Sequence, residues 1–138
     1  MYLTREDFDT VYGTNNVNAL LDDDGIASDA RLINAINFAQ YQIDRRLRNQ
    51  YEVPFDNLPN ELKSIALALA WYYLYSAQGT TSEDVKLRYE KALLELELLQ
   101  NGQIKLDSDI ETVSNNPTIQ AGSKTLIFND VYSSKYLL

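Results

Sequence analysis

Residues Ala30 to Leu74 read ARLINAINFAQYQIDRRLRNQYEVPFDNLPNELKSIALALAWYYL, and this stretch decides the fold. Leu32, Ile36, Ala39, Ile43 and Leu47 recur at steps of three and four, which puts them on one stripe of a helix, while Asp44, Arg45, Arg46 and Arg48 fall largely on the solvated side. The spacing predicts an amphipathic helix capped by Ser28 and running to about Gln50, with Pro54 as its stop. Leu58-Pro59 sets up a second start, since proline is tolerated only in a first helical turn. From Ile65 to Tyr75 eleven consecutive residues are apolar or aromatic, so this second helix must be buried almost all round.

Working outward, Thr4 is a candidate N-cap with Glu6 and Asp7 placing negative charge in the first turn of a short helix that Gly13 ends. Asn16 to Leu21 supplies a further turn. Asn57 or Leu58 precedes the apolar helix, which runs to about Ala77, with Gly79 as its left-handed C-cap. Thr81 or Ser82 opens a last long helix that ends before Gly102. Its core stripe is Val85, Tyr89, Ala92, Leu93, Leu96 and Leu99, widened by Leu87, Leu94 and Leu98. Asp84 with Arg88 and Lys91 with Glu95 are spaced for surface ion pairs. Short loops between such helices favour near-antiparallel packing.

From Ser108 to Gly122 the chain becomes rich in Ser, Asn, Asp and Thr and reads as a linker. Beyond it, Lys124 to Phe128 has strand composition, and Val131, Tyr132, Tyr136, Leu137 and Leu138 continue an apolar supply with no helical period. The expected organisation is an all-α domain over 1–106, a compact bundle of three main helices plus a short N-terminal one, followed over 107–138 by a linker and an extended C-terminal tail of strand composition. Exposed strand-forming residues invite association. Leu126, Ile127, Phe128, Val131, Tyr132 and Tyr136 are therefore the candidate partner interface, docking either on their own body or on a neighbouring chain.

At 138 residues the size fits one domain. The chain has no cysteine and no histidine, which removes disulfides, thiol chemistry, the commonest metal ligand and the commonest general base. A formal charge of −8 argues against broad nucleic-acid binding, which draws its energy from phosphate neutralisation by lysine and arginine. No basic-then-apolar leader opens the sequence, and eleven apolar residues fall short of the roughly 20 that a membrane span needs, so a soluble cytosolic product is expected.

Asp22-Asp23-Asp24-Gly25 invites a calcium reading, yet aligning an EF-hand loop on its glycine puts Leu20 at the first ligand position and Arg31 at the bidentate one. The three aspartates are instead a solvated acidic turn or a charged contact loop for a partner. Arg45, Arg46 and Arg48 sit where a helix C-terminus favours cations, or meet an acidic surface or DNA backbone. Trp71, Tyr72, Tyr73 and Tyr75 occupy successive positions of the buried helix and read as core rather than as a base-stacking platform. No nucleophile, base and orienting partner can be assembled, so neither an enzyme nor a bound cofactor or metal is expected.

Several pieces of the chain resemble, in order and spacing, the small virion proteins of Mu-like tailed phages, akin to head-tail connector or adaptor (head completion) proteins. They are Tyr2-Leu3-Thr4-Arg5-Glu6-Asp7-Phe8; Ala30-Arg31-Leu32 through Tyr51-Glu52-Val53-Pro54; Leu58-Pro59 through Leu62-Lys63-Ser64-Ile65-Ala66; and Arg88-Tyr89-Glu90-Lys91-Ala92-Leu93 leading to Asn101-Gly102-Gln103-Ile104-Lys105-Leu106. Ser123 to Phe128 is similar to the short extended tail of such proteins, with Lys124 where an arginine is frequent. The resemblance implies a non-catalytic protein of the virion's head-tail junction, made in the bacterial host's cytoplasm. Its copies would form a ring, commonly of twelve, between the portal protein and tail-joining proteins, with DNA only passing through the channel and no membrane involved. Rival readings from the residues are a small acidic interaction or regulatory protein such as a DNA mimic, and a helix-turn-helix regulator. Lysines and arginines interrupt the acids the first needs, and the last helix is too mixed for the second.

Overall fold

The computed structural model describes residues 1–23, 26–80 and 82–106. Five helices follow one another: α1 (Arg5–Tyr12), α2 (Thr14–Leu21), α3 (Asp29–Leu47), α4 (Asn60–Ala77) and α5 (Glu83–Gln100). Between α2 and α3, the two-residue strands β1 (Asp22–Asp23) and β2 (Ile26–Ala27) pair antiparallel, Asp22 opposite Ala27 and Asp23 opposite Ile26. The described body is all-α apart from this clip.

The helix starts follow local chemistry. Thr4 forms a capping box with Asp7, the threonine hydroxyl accepting from the Asp7 amide while the Asp7 carboxylate accepts from the Thr4 amide at 2.8 Å. Ser28 and Ser82 accept from the amides of Arg31 and Val85 at the starts of α3 and α5. Pro59 holds the N-cap position of α4, one residue outside the first turn. Two helices stop in the same way. Gly79 and Gly102, both at φ +77°, let the next amide fold back, so that Thr80 donates to the Tyr75 carbonyl at 3.2 Å and Gln103 to that of Leu98 at 2.9 Å.

Two boundaries depart from the sequence reading. A complete second short helix begins at Thr14, because Gly13 at φ +89° ends α1 and serves as N-cap of α2. Helix α3 ends at Leu47 rather than near Gln50, well before Pro54. The Leu47 carbonyl accepts from both Gln50 and Tyr51, and the chain turns there so that the Tyr51 ring goes into the core.

Helix α4 is the centre of the bundle, packing along both α3 and α5, which meet each other less extensively. No residue from Ile65 to Tyr75 is exposed. The expected α3 stripe of Leu32, Ile36, Ala39, Ile43 and Leu47 is buried in full. Helices α1 and α2 cover the end of this layer, Phe8 and Val17 being completely enclosed. Aromatic rings lock the helices together. Tyr12 stacks on Trp71 with centroids 3.9 Å apart, and Tyr72 on Tyr89 at 3.8 Å, which places the tyrosines of α4 in packing.

One expectation fails on α5. Val85, Ala92, Leu96 and Leu99 are buried, but Leu87 and Leu94 are 56% and 58% exposed and do not widen the core stripe. The reason is position in the bundle. Helix α4 has neighbours on both sides, whereas α5 lies outermost and can bury only the face turned to α4 and α3.

Candidate functional site

Three motifs far apart in sequence converge at Tyr51 to Phe55. The Tyr2 hydroxyl donates to the Asp44 carboxylate and accepts from the Phe55 amide at 3.0 Å, and its ring lies 6.3 Å from that of Phe55. Burial first, and then the hydrogen bond to Asp44, push the Tyr2 phenol well above its usual pKa. On the other side, the Tyr51 hydroxyl accepts from the Leu106 amide at 2.9 Å, while Gln50 Nε2 donates to the Gln100 carbonyl at 3.3 Å. Tyr51 and Leu106 are both buried. The chain's first residues and the last described residues of the body are thus fastened to one short connection.

This clasp fixes the position of Leu106, the last residue described before 107–138. The candidate interface residues Leu126, Ile127, Phe128, Val131, Tyr132 and Tyr136 lie outside the described residues. Of the acidic turn, Asp22 and Asp23 form β1, with the Asp22 side chain exposed, and Asp24 lies outside the described residues. The clip is tied to the bundle by backbone. Arg31 Nη1 donates to the Asp22 carbonyl at 3.2 Å, the Ser28 amide to the Leu21 carbonyl at 2.8 Å, and Gln78 Nε2 to the Leu20 carbonyl at 2.9 Å. Among the described residues no cluster of three metal-ligating side chains occurs.

A groove of about 280 Å³ runs between the end of α1 and the facing sides of α4 and α5. Val11, Ile65, Leu67 and Ala68 give it an apolar floor, and Arg88, Lys91 and Glu95 a charged rim. Burial pushes the pKa of Tyr12, which lines it, up to about 12, with the positive charge of Arg88 working weakly the other way. Asp84 and Arg88 form the expected ion pair at 3.1 Å, whereas Lys91 and Glu95 do not pair and stand along the rim. At the end of α3, the Arg45 guanidinium lies 5.7 Å from the centre of the Tyr41 ring, Arg48 is exposed, and the buried Arg46 Nε has no hydrogen-bond partner among the described residues.

Residue reading missed the clasp, because Tyr51 and Leu106 are separated by 55 positions and neither is chemically unusual. A signal was nevertheless present. Tyr2, Tyr51 to Pro54 and Leu106 all belong to the pieces that carried the resemblance, and the fold brings those pieces together.

The arrangement combines a helical body with a clasp that holds Tyr2, Tyr51 and Leu106 against one short connection. In comparison with known proteins, residues 2–123 match the family described as bacteriophage Mu, Gp36. No curated protein matches the chain.

Proposed function

The chain belongs to the bacteriophage Mu Gp36 family, and from that premise we propose that it is a structural protein of the phage or prophage virion, a head-tail adaptor whose copies form a ring at the portal vertex. The helical body supplies the shape of each subunit. The tail, starting from a point fixed by Tyr51 and Leu106, reaches a neighbouring subunit or a tail-joining protein and is ordered there through Leu126, Ile127, Phe128, Val131, Tyr132 and Tyr136. Ordering costs about 1 to 2 kcal/mol per residue, and burying a large apolar side chain returns about 1.5 to 3 kcal/mol, so a few anchors must carry the contact. Asp22, Asp23 and Asp24 are the proposed charged contact loop. Acidic side chains turned to a channel would repel the duplex and favour its passage.

The family match over nearly the whole chain carries this reading. The body's anchored exit gives the tail a defined starting point. The test is deletion of the gene from a producing phage or prophage. Filled heads and separate tails should accumulate unjoined and be rescued by the gene in trans. Normal infectious particles from the deletion overturn the proposal.

A further inference from the structure

Three segments outside the helices are tied to one another around the end of α3: residues 1–4 ahead of α1, residues 48–59 between α3 and α4, and residues 101–106 after α5. Local turns hold the near end of two of them, Tyr51 donating to the Leu47 carbonyl and Gln103 to that of Leu98. Farther out, backbone amides donate to side chains of another segment. The Phe55 amide donates to the Tyr2 phenol at 3.0 Å and the Leu106 amide to the Tyr51 phenol at 2.9 Å, while the Tyr2 hydroxyl in turn donates to Asp44 on α3. The Phe55 ring links the two phenols, 6.3 Å from the ring of Tyr2 and 6.2 Å from that of Tyr51. Tyr2, Tyr51 and Leu106 are buried, whereas Glu52, Pro54, Asp56 and Asn57 are exposed, so the connection is open to solvent along part of its length.

We infer that these three segments open and close as one unit, a strap in which the hold on Leu106 and the hold on Tyr2 are coupled through residues 51–55. Each link depends on the next. Freeing Tyr2 takes the acceptor from the Phe55 amide and a neighbour from the Phe55 ring, and an amide left without a partner is relieved only by reaching water. The connection then swings outward and carries the Tyr51 hydroxyl away from Leu106. Freeing Leu106 works in reverse, since it uncovers Tyr51 and loosens the ring contact that backs Phe55. Groups that share partners in this way respond together rather than additively, and irregular segments beside solvent open without the rest of the domain. Helix α4, with Leu62 and Leu69 fully enclosed, stays outside the unit. Tyr2 stands two residues before Thr4, the N-cap of α1, so tension on the chain beyond Leu106 reaches the start of the first helix. The coupling belongs to the body itself and does not depend on the adaptor role.

Amide hydrogen exchange, followed by NMR on the full chain, tests the coupling in both directions. Tyr2→Phe keeps the ring and removes the hydroxyl that Phe55 uses; Tyr51→Phe does the same to Leu106. The decisive amide is the remote one. In Tyr2→Phe the Leu106 amide should exchange about three- to tenfold faster, and in Tyr51→Phe the Phe55 amide should do likewise. The Leu69 amide in the middle of α4 should keep its rate in both variants. Tyr12→Phe, which removes a phenol outside the strap, is the control and should leave the Phe55 and Leu106 amides unchanged. The inference is overturned if each variant speeds only the amide that its own hydroxyl accepts from. It is equally overturned if Leu69 accelerates alongside the remote amide, or if Tyr12→Phe moves Phe55 and Leu106 as much as the strap variants do.

Discussion

Leu69 and Leu94 are the same residue type on successive long helices, and their substitution by alanine separates a core position from an exposed one. Leu69 is completely buried at the centre of α4, and Leu94 is 58% exposed on the outer side of α5. Removing a buried leucine side chain costs its transfer free energy plus that of the cavity, about 2 to 5 kcal/mol together, out of a total domain stability of roughly 5 to 15 kcal/mol. The partly solvated Leu94 has little burial to lose, and alanine is the better helix former, so its net change should stay within about 0.5 kcal/mol. Urea denaturation and thermal melts followed by circular dichroism at low protein concentration measure both. Leu69→Ala should lower the midpoint by about 10 to 20 °C, and Leu94→Ala should leave it nearly unchanged. Equal losses at the two positions would refute the placement of α5 with its 87 and 94 face turned outward.

Tyr12 titrates at about 12 when folded against 10 for a free tyrosine, so the unfolded chain gives up this proton first as the pH rises. The stability held in the neutral phenol is therefore complete below pH 10 and is lost between pH 10 and about 12; Tyr12→Phe should show a shallower fall of stability over that window in melts, and an identical fall contradicts it. Tyr51→Phe leaves the buried Leu106 amide without its acceptor, a loss of about 1 to 3 kcal/mol, and hydrogen exchange should show that amide losing protection while the amides of α4 keep theirs. Truncation after Leu106 should leave the helical body folded by circular dichroism but block incorporation into particles, and Leu126→Ala with Phe128→Ala in the full chain should weaken incorporation. A truncated protein that unfolds would make the tail part of the core.

Much of this fold is legible in the sequence because its helix ends are set by local chemistry. Thr4, Ser28 and Ser82 each offer a hydroxyl to an amide three residues on, Gly79 and Gly102 allow the left-handed turn, and the apolar run from Ile65 cannot be solvated on any side. The misses share another cause. The outward turn of Leu87 and Leu94 depends on α5 having neighbours on one side only, and the early end of α3 accompanies the turn that carries the Tyr51 ring into the core. Periodicity shows how many apolar residues a helix carries, not how many neighbours it will have. The candidate site divides likewise. Asp22 and Asp23, whose composition suggests a solvated turn, form the strand β1 of the clip, and the clasp at Tyr51 and Leu106 arises from tertiary contacts alone.

Electron microscopy of purified virions carrying a tagged copy of this protein tests the structural role most directly. Label, and ring density matching the five-helix body, is expected at the junction between the portal vertex and the tail. Label elsewhere in the particle, or particles that lack the protein altogether, would contradict it.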